Sequence, residues 1–162
     1  MKKVTTADRK VIVFQLEDEE YAVSVHQVGS IERIQPITRV PRTADFVKGV
    51  INLRGAVTPV IDLRLRFGLQ ETDVNELTRI IVVYFDDMET GLIADAANDV
   101  IDIPEEAIEP PPEVVGAVDI DYIEGVAKLE DRSLILLDLE NVLTRAELNE
   151  LKAVEGKNDE VN

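Results

Sequence analysis

The chain carries one pattern twice, and this internal repeat limits the folds that it can adopt. Residues Val11–Ile34 align without a gap on Ile80–Ile103, at an offset of 69 residues. In each copy an apolar run leads into an acidic turn, EDEE or DDME, and a second apolar run follows. Self-similarity of this kind is typical of a chain built from two related structural units.

A second match supports the repeat. Gly49–Leu63, with the sequence GVINLRGAVTPVIDL, lies over Gly125–Leu139 at an offset of 76 residues. The seven-residue difference between the two offsets falls in the linking segment, where insertions are best tolerated. Because the matching positions are mostly apolar, the alternative is that two β-rich segments share them by chance.

The repeat and the apolar runs together predict an all-β protein. The runs are rich in Val and Ile, five to eight residues long, and bounded by turn residues. We expect one domain over residues 1–162, made of two similar SH3-like five-stranded β-barrels packed side by side. The first barrel is expected at residues 10–70 and the second at 78–143. Their hydrophobic faces are expected to merge into one core, because about 65 residues alone give a marginal core.

Several short segments read as turns or helices. Thr43 is placed to cap one helical turn before Phe46, and a short helix after Asp62 should end at Gly68. The spacing from Thr144 to Glu147 is that of a capping box, which predicts a C-terminal helix over residues 144–155. Gly156 should stop this helix and leave residues 156–162 as a disordered tail.

Composition and charge exclude several classes of protein. There is no cysteine, which excludes disulfides, thiolate metal sites and cysteine nucleophiles. No apolar run approaches the length of about 18 residues that a membrane span needs. Residues 1–70 carry a net charge of +3 (11 basic, 8 acidic), whereas residues 71–162 carry −19 (6 basic, 25 acidic). Nucleic acid and anionic membranes would repel the acidic part, so neither is an expected partner. The expected location is the cytoplasm.

The residues needed for catalysis are mostly missing. His26 is the single histidine and is expected on the surface, and no phosphate-binding glycine loop is present. The acids Asp119, Asp121 and Glu124 match a calcium loop poorly. The chain therefore reads as a binding module and not as an enzyme. The alternative is an enzyme that uses carboxylates or a ligand-binding barrel, which would have a deep polar cleft with paired acids.

The segment around Arg54 suggests a docking surface. Arg54-Gly55 is a plausible hairpin tip, because glycine adopts positive φ without steric cost. Pro59 cannot donate to a sheet ladder, so its strand should be an edge strand or carry a bulge. Arg54 could then make forked bonds to a carboxylate of a partner. The alternative is an ordinary hairpin whose arginine pairs within the protein.

The same segment carries a resemblance to a known family. FVKGVINLRGAVTPVIDLRLRFGL, residues Phe46–Leu69, closely resembles the signature of the CheW family of bacterial chemotaxis adaptors. VFQLEDEEYAVSV before it and GLIADAANDVIDIPEEAIEPPPE after it are similar to the family as well, so the match runs from about residue 10 to 143. With neither a kinase before it nor a receiver domain after it, the chain is expected to be a stand-alone member.

The resemblance implies a function. It implies two side-by-side five-stranded barrels, no catalysis and no cofactor. It implies an adaptor that couples the cytoplasmic tips of methyl-accepting chemoreceptors to the regulatory domain of the histidine kinase CheA, in the cytoplasm at membrane-associated receptor arrays. The protein itself would not insert into the membrane and would be monomeric alone. The alternative within the family is a CheW-type adaptor that serves a signalling array other than chemotaxis.

The resemblance also implies two sets of contact residues. The receptor helix of the family lies in the groove between the barrels, and the matching positions here are Val25, Val28, Ile31, Arg54, Val57, Asp95 and Ala96. The kinase contact lies mainly in the segment before the signature, with a second contact after the proline tract, and the matching positions here are Ile37, Arg39, Val40, Pro41, Phe46, Lys48 and Val114.

One position departs from the family. Many relatives carry a glutamate at the place of Ser30, near the signature arginine. If that acid normally supports the arginine, Arg54 needs another partner in this chain. Glu32 lies two residues further on and shares the strand face of Ser30 if the strand is regular.

Overall fold

Strands are the main secondary structure of the computed structural model, which describes residues 8–111 and 120–161. The strands of this part are β1 (Arg9–Leu16), β2 (Glu19–Ser24), β3 (Val28–Arg33), β4 (Val47–Leu53), β5 (Ala56–Asp62), β6 (Arg79–Phe85), β7 (Met88–Ala94), β8 (Ala96–Ile103), β9 (Ile108–Glu109), β10 (Ile123–Lys128) and β11 (Ser133–Leu137). The helices are α1 (Leu63–Arg66), α2 (Leu139–Val142) and α3 (Arg145–Val161), and single 3₁₀ turns lie at Val25–Gln27, Glu105–Ala107 and Ile120–Tyr122. The predicted all-β class with short helices is confirmed.

Two sheets contain all of these strands. The first sheet has the order β8-β1-β2-β11-β10-β9, and the second has the order β3-β6-β7-β5-β4. Neighbouring strands are antiparallel except for the parallel pairs β2–β11 and β5–β7. When every strand of the second sheet is replaced by its equivalent in the other repeat, its order becomes β8-β1-β2-β11-β10, which is that of the first sheet without β9. The repeat read from the sequence is therefore a repeat of strand order.

Each sheet takes strands from both halves of the chain. Strand β2 leads into β3 through one 3₁₀ turn and so passes from the first sheet to the second, and β7 passes back into β8 through Asp95. The expected ranges 10–70 and 78–143 thus describe the repeat but do not separate the sheets. In this exchange β8 pairs with β1 and β3 pairs with β6, which local sequence cannot indicate. Side-by-side SH3-like units remain, with six and five strands.

The hydrophobic core has three parts and not one. The main cluster lies between the sheets and includes Phe14, Ile81 and Leu92. Each sheet also buries its other face: Val13 and Leu136 belong to the cluster of the first sheet, and Val60, Ile80 and Val82 are among those of the second. Both faces of both sheets are apolar, because one face of each sheet packs against the other sheet and the opposite face buries a cluster of its own.

Most of the local helix signals are confirmed. The Glu147 N–H donates to Thr144 Oγ1 (3.1 Å) and the Thr144 N–H donates to Glu147 Oε1 (2.8 Å), which is a complete capping box. The side chain of Asp62 caps α1, and Gly68 follows the helix with a φ of +80°.

Two local expectations are wrong. Thr43 donates its hydroxyl to the carbonyl of Val40 and caps no helix, because residues 44–47 form a turn. Helix α3 continues past Gly156 to Val161, so this part of the expected tail is helical. A single glycine inside a helix costs only about 1 kcal/mol relative to alanine, which is too little to stop it.

Candidate functional site

The hairpin that carries Arg54 is built as its sequence predicts. Leu53 pairs with Ala56, and the two residues between them form the turn, with φ of +51° for Arg54 and +84° for Gly55. Positive φ at both central positions gives a turn whose twist matches that of the flanking strands. The Gly55 N–H donates to Asn52 Oδ1 at 3.0 Å. The arginine is thereby held at the tip.

Two acids hold the Arg54 guanidinium. Its Nη1 donates to Glu32 Oε2 at 3.3 Å, and its Nη2 lies 3.8 Å from Glu89 Oε2. The side chain of Arg54 remains 62% exposed. Ser30 Oγ is buried and makes no hydrogen bond within the described residues. Glu32 thus supplies an acidic partner for Arg54 two residues beyond Ser30, and the arginine pairs internally while still facing solvent.

Pro59 lies in a strand that is only locally an edge. Strand β5 is flanked by β4 and β7, and Pro59 is opposite Val50 of β4. The parallel pairing of β5 with β7 begins only at Val60. Pro59 therefore needs no hydrogen bond to β7, which agrees with the missing N–H of proline. The expected edge position is right at this residue and wrong for the strand as a whole.

Two edge strands expose aliphatic side chains between the sheets. Ile31 of β3 lies opposite Ile81, which belongs to the main core, and is 40% exposed. Val100 of β8 lies opposite Ile12 of the same core and is 56% exposed. Ile31 is among the positions that the resemblance implies as receptor contacts, and Val100 is not. The signal was present, because the 69-residue offset aligns the two positions.

The other expected receptor residues occupy several places. Val25 and Val28 are partly buried and pack against the main core near Ile31. Val57 lies on β5 beside a hollow that Met88 and Lys152 also line. The structure thus places Val25, Val28 and Ile31 on one stretch of chain, and Val57 elsewhere.

Asp95 and Ala96 lie where β7 passes into β8. The two Asp95 carboxylate oxygens accept hydrogen bonds of 2.8 Å from Arg64 Nε and Nη2, and Oδ2 also accepts the Glu17 N–H at 2.9 Å. Burial opposes ionisation of Asp95, but these bonds outweigh it, so the pKa of Asp95 lies below its usual range. Arg64 also pairs with the Glu17 carboxylate. Asp95 is therefore part of a structural ion cluster.

The expected kinase residues lie on a segment that crosses strand β4. We call residues 33–48 the basic segment. Thr38 and Val50 exchange two backbone hydrogen bonds of 2.8 Å, which pin the segment to β4, and Ile37 packs against the core of the second sheet. Gly49 makes this crossing possible: its φ is +143°, and a Cβ there would stand 2.0 Å from the Thr38 carbonyl oxygen. Only glycine fits this position.

The exposed part of the basic segment is positively charged. Arg33, Arg39 and Arg42 are exposed and have no ion-pair partner within the described part of the chain. Pro41 is exposed and Val40 is partly exposed. Lys48 differs, because it pairs with Glu71.

Phe46 and Val114, two further expected kinase residues, are not part of this exposed surface as described. Phe46 is 8% exposed and belongs to the main core, so its side chain is held inside the protein. Its aromatic character indicated either a contact or a core position, and sequence alone could not distinguish them. Val114 lies outside the described residues.

The clefts formed by the described residues have several titratable side chains on their walls. A cleft of about 750 Å³ lies between the 3₁₀ turn of His26, the β6–β7 hairpin and the α2–α3 junction. His26 is exposed there, and Asp86 accepts a hydrogen bond of 3.0 Å from Arg145, which lowers the pKa of Asp86. Among the described residues no group of three or more His, Asp or Glu side chains could hold a metal ion. The same residues include no helix long and apolar enough to cross a membrane.

The comparisons with known proteins agree with this geometry. The family of CheW-like domains matches residues 10–147. The chain belongs to the CheW family. It is 48% identical over 136 residues to the chemotaxis protein CheW of Bacillus subtilis strain 168, covering 84% of this chain and 87% of the relative. It is 36% identical over 143 residues to chemotaxis protein CheW of Klebsiella aerogenes, covering 88% and 86%.

A solved structure shows the same fold. The crystal structure of the scaffolding protein TtCheW from Thermoanaerobacter tengcongensis matches with a TM-score of 0.80 and 38% sequence identity. The match covers 86% of this chain and 95% of that protein. CheW-family proteins are chemotaxis scaffolds and adaptors and not enzymes, so the interpretation of the sequence as a non-catalytic binding module is confirmed.

Proposed function

We propose that this CheW-family protein is a cytoplasmic adaptor that couples chemoreceptors to the histidine kinase CheA. It would bind the cytoplasmic tips of the receptors at one surface and the regulatory domain of the kinase at another, in arrays at the membrane. The observation that carries the proposal is the presence of two exposed surfaces of different chemistry: an apolar one around Ile31 and Val100, and the basic segment.

The apolar surface suits a helical partner. Ile31 and Val100 stand on edge strands, on the faces of the two sheets that turn toward the main core. Val25 and Val28 continue the apolar surface beside Ile31. An amphipathic helix can bury its apolar stripe against such a groove, and exposed arginine beside it can bond a carboxylate. Arg54 pairs with Glu32, on the face of β3 opposite to that of Ile31, and we assign it to the rim of the receptor contact.

The basic segment suits an acidic partner surface. Arg39 and Arg42 are exposed without an ion pair among described residues, and the Thr38–Val50 backbone pair fixes the segment in place. A preorganised surface loses little conformational entropy when it binds. Unpaired charges at the rim of an interface mainly increase the association rate and the specificity. We therefore assign the kinase contact to the exposed residues of this segment, and not to the buried Phe46.

Adaptor function requires that both surfaces be occupied at once. Receptor state can then bias the kinase only if the ternary complex has arrangements that differ in free energy. No catalytic step by the adaptor is needed.

The proposal can be tested by two binding experiments. Calorimetric titration with the regulatory domain of CheA should give one site of micromolar or tighter affinity, and Arg39→Ala should weaken it. Co-sedimentation with receptor-containing membranes should be weakened by Ile31→Ser and by Val100→Ser, but not by Arg39→Ala. Loss of both activities in every one of these variants would contradict separate surfaces. Binding to neither partner by the unaltered protein would overturn the proposed function.

A further inference from the structure

Arg66, at the end of α1, lies between two aromatic rings. Its guanidinium carbon is 5.0 Å from the centroid of the Phe46 ring and 5.0 Å from that of Tyr122. The Arg66 side chain is only 13% exposed. A planar guanidinium can stack on both rings at once, and cation–π attraction is strongest where water is excluded. Phe46 lies near the end of the basic segment, and Tyr122 lies just before β10.

The edge of the same guanidinium is bonded to the helical region. Arg66 Nε donates to the Val142 carbonyl at 2.6 Å, and the two terminal nitrogens lie 3.1 and 2.9 Å from the two oxygens of Glu147. Glu147 is also the acid of the capping box that begins α3. Arg66 thereby fixes the start of α3 relative to Phe46.

Helix α3 in turn holds the basic segment. Glu150 Oε1 accepts the backbone N–H of Ala44 at 3.0 Å. The exposed residues between 39 and 43 are therefore anchored at two ends: by the Thr38–Val50 pair on one side, and by Ala44 and Phe46 on the other. The second anchor depends on Arg66 in two ways. Arg66 stacks on the Phe46 ring, and it bonds the start of α3, the helix that carries Glu150.

The aromatic contacts extend further into the protein. The Phe67 and Tyr122 rings are stacked with centroids 5.4 Å apart, Tyr21 lies 5.9 Å from Phe67, and Phe14 lies 5.8 Å from Tyr21. This row runs from β1 of the first sheet to the sandwich at Arg66. The anchor of the basic segment is thus joined to the first sheet, although the segment itself crosses the second.

We propose that Arg66 is a positioning residue for kinase binding, which holds the basic segment in its binding-competent arrangement without touching the partner. The inference rests on the proposed function, since it assigns a role within the kinase contact. If the anchor is lost, the segment adopts other arrangements, and the apparent affinity falls by the fraction of molecules that remain competent.

Arg66→Lys is the most informative variant. Lysine keeps the positive charge and can still pair with Glu147, but it cannot stack as a plane between two rings or make a forked pair. We expect the dissociation constant for the CheA regulatory domain to rise about tenfold, which corresponds to about 1.4 kcal/mol. Phe46→Leu removes one ring while keeping an apolar side chain, and we expect it to act in the same direction. Phe46→Leu also tests the proposal if Arg66→Lys does not fold.

Glu147→Gln separates the two routes, because it weakens the bond of Arg66 to α3 while leaving both rings and the arginine in place, and glutamine can still accept a hydrogen bond from Arg66. Its effect on kinase affinity should be clearly smaller. Amide hydrogen exchange gives the second readout: in Arg66→Lys the amides of residues 44–47 should exchange faster, while those of β6 and β7 stay protected. A general loss of structure would speed exchange in all of these strands.

The outcomes separate the two proposals. If the unaltered protein does not bind the regulatory domain, the proposed function fails. If it binds, and folded Arg66→Lys and Phe46→Leu bind equally well, the kinase contact stands and the positioning role of Arg66 is overturned. Faster exchange across the whole second sheet, with unchanged affinity, would also overturn it and would assign Arg66 to stability alone.

Discussion

Arg54 on the β4–β5 turn donates a hydrogen bond to Glu32 on β3, at 3.3 Å, across a surface where Ser30 Oγ has no partner within the described chain. Glu32 lies opposite Ile80 and Ser30 lies opposite Val82 on β6. Both of these β6 residues belong to the core of the second sheet, so Ser30 and Glu32 share one strand face. An acid at either position would therefore lie on the face of β3 that Arg54 reaches.

This pair predicts how receptor binding responds to substitution. We expect Glu32→Gln to weaken co-sedimentation with receptor membranes in the same direction as Arg54→Ala, because the arginine loses its orienting acid. Both changes should alter the free energy of unfolding by less than about 1 kcal/mol, since the Arg54 side chain is mostly exposed. Adding Ser30→Glu to Glu32→Gln should restore binding. Normal binding by Glu32→Gln together with a defect in Arg54→Ala would show that Arg54 acts without Glu32.

The close crossing at Gly49 predicts a large loss of stability. In Gly49→Ala the new Cβ would stand 2.0 Å from the Thr38 oxygen, at a φ of +143°, so the basic segment must move off β4. We expect the free energy of unfolding to fall by at least about 2 kcal/mol, by denaturant titration.

Gly55→Ala is the matched control for Gly49→Ala. Gly55 also has positive φ, +84°, but a Cβ there would meet nothing within 4 Å. Its cost should be the backbone strain alone, about 1 kcal/mol. Equal losses in the two variants would mean that the contact with Thr38 does not matter.

Asp95 predicts a loss of stability in acid. Its pKa is depressed in the folded protein by Arg64 and by the Glu17 N–H, against the opposing effect of burial. A depressed carboxyl pKa contributes stability that is complete above the unfolded pKa of about 3.9 and is lost as the pH falls through the folded value. Asp95→Asn should therefore cost about 2 kcal/mol at pH 7, and the difference from the unaltered protein should shrink below about pH 4. Thermal unfolding across a pH series measures this.

Asp62 provides a comparison of opposite sign. Burial raises its pKa despite the backbone hydrogen bonds that it accepts at the start of α1. A raised carboxyl pKa favours folding at low pH, and that advantage is lost as the pH rises through the folded value. Asp62→Asn keeps an oxygen that can cap the helix, so we expect stability at pH 7 to be unchanged or higher. Parallel pH dependence in the Asp95 and Asp62 variants would contradict both assignments.

The basic segment predicts a salt-dependent kinase affinity. Arg39→Gln should weaken binding of the CheA regulatory domain about threefold at low ionic strength, and the effect should fade toward 1 M salt, where the Debye length is about 3 Å. Lys48→Gln should have a smaller effect, because Glu71 already pairs with Lys48. Lys128→Gln, in the other sheet, is the control. A defect of Arg39→Gln that persists unchanged across the salt series would contradict an electrostatic role.

Sequence reasoning succeeded where the controlling interactions are local. The Arg54-Gly55 turn, the Asp62 cap and the Thr144–Glu147 capping box depend on residues within a few positions of one another, and all are confirmed. The resemblance to the family is carried by a continuous run of residues and is confirmed as well. The positions of Phe46 and Asp95 were not predictable. Their partners Arg66 and Arg64 belong to another element, and a pattern of residues along the chain contains no distances between elements.

The sequence by itself determined the repeat, the strands, the turns and the family, because each is written in neighbouring residues or in a pattern that can be aligned. Only the tertiary structure decided that β1 and β2 join β8–β11 while β3, β4 and β5 join β6 and β7. It also decided that Glu32 pairs with Arg54, and that Arg66 lies between the rings of Phe46 and Tyr122. The physical reason is that strand pairing and side-chain packing bring together residues far apart in the chain, and many such pairings satisfy the same local pattern equally well.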